Sequence, residues 1–149
     1  MIAFLGGLPT FLSLYFSSIP SIYPFPASDP NSALAIPFVV SNNSLLFDMH
    51  EVRLGCVLDI TTGLLAMHNA TFIFSPSQEL PVGSKGDFFC DINRMVRSGE
   101  PIIVGKKFII ELMWNTNIFG YRFERKKSGV FTILHSGSGY YWMEGGILQ

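Results

Sequence analysis

The sequence predicts a mainly β fold, an antiparallel β-sandwich of about seven or eight short strands behind an apolar N-terminal segment. Two observations predict the strands. After Ala33, apolar residues recur with a period of two, and turn-forming residues interrupt the runs at short intervals. A third predicts the leading segment: no ionisable side chain occurs before Asp29 and no Lys or Arg before Arg53.

The leading segment reads MIAFLGGLPTFLSLYF from Met1 to Phe16 and stays uncharged through Ser28. A membrane-spanning helix needs about 20 apolar residues. Pro9, Pro20, Pro24 and Pro26 confine any helix to roughly the first 19 residues, because proline lacks an amide proton and clashes with the preceding turn. A secretory signal peptide would carry a basic n-region and a small-residue cleavage site, and neither is present before Asp29. Residues 1–22 are therefore read as an uncleaved membrane anchor. The alternatives are a signal-like segment and a buried helix of a soluble protein. The missing basic flank leaves the anchor unoriented and puts a start at Met1 in doubt. Residues 23–34, containing Pro24, Pro26 and Pro30, read as an extended spacer that holds a domain of residues 35–149 off the bilayer.

Composition agrees with contact between part of the chain and lipid. Hydrophobic residues make up 48% and charged residues 14%, against about 25% charged in an average soluble domain. With 149 residues there is room for one core. Ten basic residues against eleven acidic ones give a net charge of −1 and no field that would gather nucleic acid, which is not expected as a partner.

In order along the chain, Ile36, Phe38 and Val40 share one face of a first strand. Val52, Leu54, Cys56, Leu58 and Ile60 share a face of the second, the cleanest alternation in the sequence. Ala70, Phe72 and Phe74 follow, then Phe88, Cys90 and Ile92, then Phe108, Ile110, Leu112 and Trp114. Asn42-Asn43-Ser44, Ser75-Pro76-Ser77, Pro81-Val82-Gly83 and Ser98-Gly99-Glu100-Pro101 supply the turns. Phe119, Tyr121 and Phe123 predict another strand, turned at Ser128-Gly129 into Val130–Leu134. A turn at residues 135–139 then leads to a last strand at Tyr140–Met143.

The segments SDPNSALAIPFVVSNNS, HEVRLGCVLDI, PVGSKGDFFCDI, YRFERKKSG and GYYWMEGG, in that order behind an apolar segment, resemble a group of uncharacterised bacterial single-span membrane proteins with an immunoglobulin-like sandwich. The resemblance spans most of the chain and implies an immunoglobulin-like domain held at a membrane. It brings no catalytic residue.

Candidate chemistry is sparse. Cys56 and Cys90 fall on predicted inward faces 34 residues apart. They are either a disulfide or two thiols packed as small hydrophobes. His50, His68 and His135 lack the close ligand pairs of zinc sites, so no metal or cofactor is expected. His135 beside Ser136 and Ser138 lacks a nucleophile elbow and reads as a turn. Glu111, Glu124, Asp87, Asp91 and Glu144 do not converge as a glycosidase pair would. Arg122, Arg125, Lys126 and Lys127 form the basic cluster, read as a solvated hairpin edge with lipid phosphate as the alternative. Asn42 and Asn69 head glycosylation-type tripeptides and read as loop residues.

The expectation is a non-enzymatic, membrane-tethered module that meets a protein partner at the cell envelope, with the extracytoplasmic side favoured. The alternative is a carbohydrate- or other ligand-binding module in which Tyr140 and Trp142 are exposed to stack on the ligand.

Overall fold

A computed structural model describes residues 19–31, 33–58, 73–90 and 104–145. The strands among them are β1 (Ser21–Pro24), β2 (Phe38–Ser41), β3 (Met49–Leu58), β4 (Ile73–Phe74), β5 (Gln78–Leu80), β6 (Lys85–Phe88), β7 (Lys107–Ile118), β8 (Tyr121–Ser136) and β9 (Gly139–Glu144). A single 3-10 turn, Ala33–Ala35, precedes β2. They form two antiparallel sheets. The smaller has the order β1-β2-β6; the larger has β4-β3-β7-β8-β9, with β5 also paired to β3.

The period-two alternation decides which side chains are buried. On β7, Phe108, Ile110, Leu112 and Trp114 all lie inside, as do Val52, Leu54 and Cys56 on β3 and Phe38, Val40 and Phe88 in the smaller sheet. These residues form one apolar cluster drawn from both sheets. At its centre Phe38 of the smaller sheet meets Phe131 edge-on at 5.0 Å and Trp142 at 5.1 Å. Phe108 packs edge-on against Trp142 at 5.3 Å. Each such pair adds about 0.5–1.5 kcal/mol beyond area burial. Cys56 and Cys90 are joined by a disulfide with a Cα–Cα distance of 5.7 Å, which ties β3 to the segment just after β6 and so links the two sheets.

Two expectations change. The end of the expected anchor and the expected spacer after it are built into the domain: Ser21–Pro24 pairs residue for residue with β2, Ile22 is buried, and Asp29 exchanges two backbone hydrogen bonds with Tyr140. Prolines suit this edge because an edge strand can do without one amide proton. The last long hairpin also turns elsewhere. Phe119 and Gly120 form the turn, both at positive φ (52° and 80°), and β8 runs unbroken through Ser128 and Gly129. Gly129 is a mid-strand position at which a Cβ would lie 2.9 Å from the Phe131 ring. The predicted anchor, Ile60, Ala70, Phe72, Ile92 and the turn at 98–101 lie outside the described residues, and only the last positions of the anchor, 19–22, are seen. Among the described residues, no helix is long and apolar enough to cross a membrane.

Candidate functional site: a charged cleft on the open face of the larger sheet

The feature that gathers chemistry starts from one extra residue in β3. His50 pairs with Asn115 and Arg53 with Met113, so three steps along β3 span two along β7. The same shift recurs against β5. Such a bulge bends the strand and re-aims a side chain. Here Glu51 takes up the extra residue at φ 50°, a conformation that non-glycine residues rarely adopt.

Glu79 of β5 holds the bulge in place. Its Oε1 accepts the Glu51 amide proton at 3.0 Å, and its Oε2 lies 2.6 Å from His50 Nδ1. These contacts keep the Glu79 carboxyl below its ordinary value, with the Glu51 backbone hydrogen bond as the leading cause and the His50 hydrogen bond second; partial desolvation works the other way.

So aimed, the Glu51 carboxylate collects donors from three strands. Arg122 Nη2 of β8 lies 2.6 Å from Oε2, Asn115 Nδ2 of β7 donates to the same atom at 3.4 Å, and Arg53 Nη2 of β3 stands 3.7 Å away. These groups border a cleft of about 560 Å³ whose lining also includes Phe74, Met113 and Glu124. Gly55 makes room for Phe74, since a Cβ there would sit 2.7 Å from the ring. The cleft therefore combines apolar surface with a guanidinium–carboxylate array that is open to water. Pairs of this kind contribute no more than about 1 kcal/mol each to stability. Their positions suit recognition of a partner with matching charges.

Other sites predicted from the sequence fall elsewhere. Trp142 is only 5% exposed and donates its indole proton to the Ala33 carbonyl at 2.8 Å, so it is core and not a sugar platform. Tyr140 is half-buried, stacked edge-on against His135 at 4.7 Å. With the pair unavailable, the carbohydrate-binding alternative loses the residues it was built on. Ser136 and Ser138 share a hydrogen bond of 2.9 Å across their turn. Of the carboxylates weighed for catalysis, Glu124 lines the cleft, Asp87 and Glu144 are exposed away from it, and Asp91 lies outside the described residues together with His68 and Asn69. No group of three or more His, Cys, Asp or Glu among the described residues could hold a metal ion. The basic cluster divides: Arg122 joins Glu51, Arg125 lies 5.6 Å over the Trp114 ring, and Lys127 donates to the Pro20 carbonyl at 2.9 Å.

Asn42 has a structural role that its glycosylation-type tripeptide hides. It is buried, and its Nδ2 donates to the carbonyls of Leu80 (2.9 Å), Phe47 (3.0 Å) and Pro81 (3.2 Å), while its Oδ1 accepts the Ser44 amide proton (3.0 Å). It thereby fastens the β2–β3 loop to the β5–β6 turn. No protein family, curated protein or solved structure matches the chain.

Proposed function

We propose that the chain is a non-enzymatic interaction module: an immunoglobulin-like β-sandwich, tethered to a membrane by its N-terminal segment, that binds a protein partner at the cell envelope through the cleft around Glu51. The observation that carries this reading is the Glu51 bulge. A strained backbone position is held by Glu79 so that one carboxylate meets Arg122, Asn115 and Arg53, with both guanidinium groups open to water. Such strain persists where the surroundings enforce it, and it concentrates at functional positions. The Cys56–Cys90 disulfide supports the extracytoplasmic side, where such bonds form and persist.

The test reverses charge at two positions, Arg53→Glu and Arg122→Glu, in the full chain extracted from membranes in mild detergent. Proteins that co-isolate with the wild type should be lost from the double variant while its thermal unfolding stays close to wild type. Retention of the same proteins by the variant would remove the cleft from the interaction.

A further inference from the structure

We propose that the chain pairs with a second copy of itself along the open edge of β8, in an antiparallel register centred on Arg125. The proposal depends neither on the tether nor on the partner of the cleft. It rests on where β8 is left unpaired and on which charges there lack an ion-pair partner.

Along one edge β8 pairs with β7 from Tyr121 to Thr132. Along the other, β9 begins only opposite Phe131, and the Gly145 amide donates to the Val130 carbonyl at 2.9 Å. Among the described residues, positions 121–129 have no strand on that side. Successive residues of a strand turn their N–H and C=O groups to opposite edges. The Val130 carbonyl points to the β9 side, whereas Ile133 bonds to Gly105 and Lys106 beside β7. Arg122, Glu124, Lys126 and Ser128 therefore present both backbone groups to the open edge, and the unbroken register with β7 keeps that order throughout. Neither a proline nor a bulge interrupts positions 121–129, so the edge is a template for another strand.

Charge selects the occupant. Arg122 is tied to Glu51, Arg125 lies over the Trp114 ring and Lys127 reaches the Pro20 carbonyl, so these cations are engaged within their own copy. Glu124 and Lys126 are exposed and have no ion-pair partner among the described residues. The midpoint of the open edge is Arg125. A two-fold axis there sets Glu124 opposite Lys126 of the second copy, and Lys126 opposite its Glu124, each as a hydrogen-bonded pair. Opposite charges in that relation stabilise a strand pair and like charges destabilise it. Moving the axis one residue either way would set Glu124 against Glu124 of the second copy, or Lys126 against its Lys126. The register that uses the whole edge is thus also the one that matches its unpaired charges.

The opposite face of β8 agrees. Tyr121, 70% exposed, comes beside Gly129 of the second copy, which has no side chain, and Phe123, 44% exposed, comes beside the aliphatic stem of its Lys127. Arg125 at the axis is the one directly opposed like-charged pair, and each guanidinium lies over the Trp114 ring of its own copy. Paired in this way, the two larger sheets join into one and both clefts open on the same face.

The experiment follows association of the full chain in mild detergent by sedimentation. It compares wild type, Glu124→Lys, Lys126→Glu, an equimolar mixture of these two variants, and the double exchange, with near-UV circular dichroism confirming that each folds. Wild type and the double exchange should dimerise. Either single variant alone sets like charges opposite each other at both positions, and its Kd should rise about tenfold or more. Mixing the two should restore the dimer, because each supplies the charge the other lacks. The register is read by Arg125→Cys, whose two α-carbons meet at the axis within disulfide range, so that oxidation should give a covalent dimer. Phe123→Cys should give none, since it stands about 14 Å from its own position in the second copy at about 3.4 Å per residue. Single variants that associate as tightly as wild type, or single variants that dissociate and are not restored by mixing, would overturn the proposal. So would a wild-type chain that stays monomeric across the concentration range, or a covalent dimer from position 123 and not from 125.

Discussion

Asn42 joins two loops through side-chain hydrogen bonds to three carbonyls and one amide, so its removal offers a calculable perturbation. In Asn42→Ala the Leu80 carbonyl and the Ser44 amide are left without their partners in buried surroundings, whereas the Phe47 and Pro81 carbonyls are only part-buried and can recover water. A buried orphaned group costs about 1–3 kcal/mol, so the two together cost about 2–6 kcal/mol. For a chain of this size that lowers the melting temperature by about 4–24 °C, at roughly 2–4 °C per kcal/mol. Asn42→Asp is more informative. Its carboxylate keeps the bond to Ser44 but turns a second oxygen toward three carbonyls, which raises its folded-state pKa above the unfolded value. Relative to wild type, the variant is then best tolerated below the unfolded carboxylate range and loses further stability as pH rises through the raised folded value. The assay is thermal unfolding of the full chain in non-ionic detergent at several pH values, followed by near-UV circular dichroism. A loss below about 0.5 kcal/mol in Asn42→Ala, or a pH-independent deficit in Asn42→Asp, would refute the reasoning.

Three further predictions concern stability. The Cys56–Cys90 bridge closes a separation of 34 residues, and Cys56→Ala/Cys90→Ala should lower the unfolding free energy by about 4 kcal/mol in urea titrations. The Glu79 carboxyl is held below the usual 4.5, so its contribution is fully present above that pH and disappears as pH falls through the depressed value. Glu79→Gln should trail wild type at neutral pH by no more than about 1 kcal/mol, because the group is exposed, and the gap should close in acid melts. Gly139 sits at φ 123° with an added Cβ only 2.6 Å from the Asp29 carbonyl oxygen, so Gly139→Ala should cost about 1–3 kcal/mol and expose the segment before β2 to limited proteolysis.

What could be read from the sequence follows from how local each signal is. The buried faces of β3 and β7 were legible because alternation from Val52 to Cys56 and from Phe108 to Trp114 depends on neighbouring residues alone. The turn at Phe119-Gly120 was not. A bulky aromatic at positive φ violates the residue preferences by which turns are recognised, whereas Ser128-Gly129 satisfies them in the middle of a strand. Pro24 lies in an extended strand, whereas Pro26 and Pro30 sit at bends, and the prolines do not show that the stretch pairs with β2 and bridges to Tyr140. The aromatic ending at Tyr140–Trp142 announced large side chains without announcing their side: Trp142 faces inward because Ala33 and Phe38 cover it. The cleft had the weakest signal of all. It depends on a one-residue mismatch between β3 and its neighbours, and nothing in the string HEVRLG distinguishes Glu51 as the bulged residue.

The most direct test of the proposed interaction places a photo-activatable amino acid at Phe74, on the lip of the cleft, and separately at Asp87 on the smaller sheet, in the full chain expressed in its own cells. Irradiation should yield a discrete cross-linked species from position 74 that disappears when Arg53 and Arg122 are both changed to Glu, and none from position 87. Cross-linking from position 87 and not from 74, or a product at 74 that survives the charge reversal, would contradict the account.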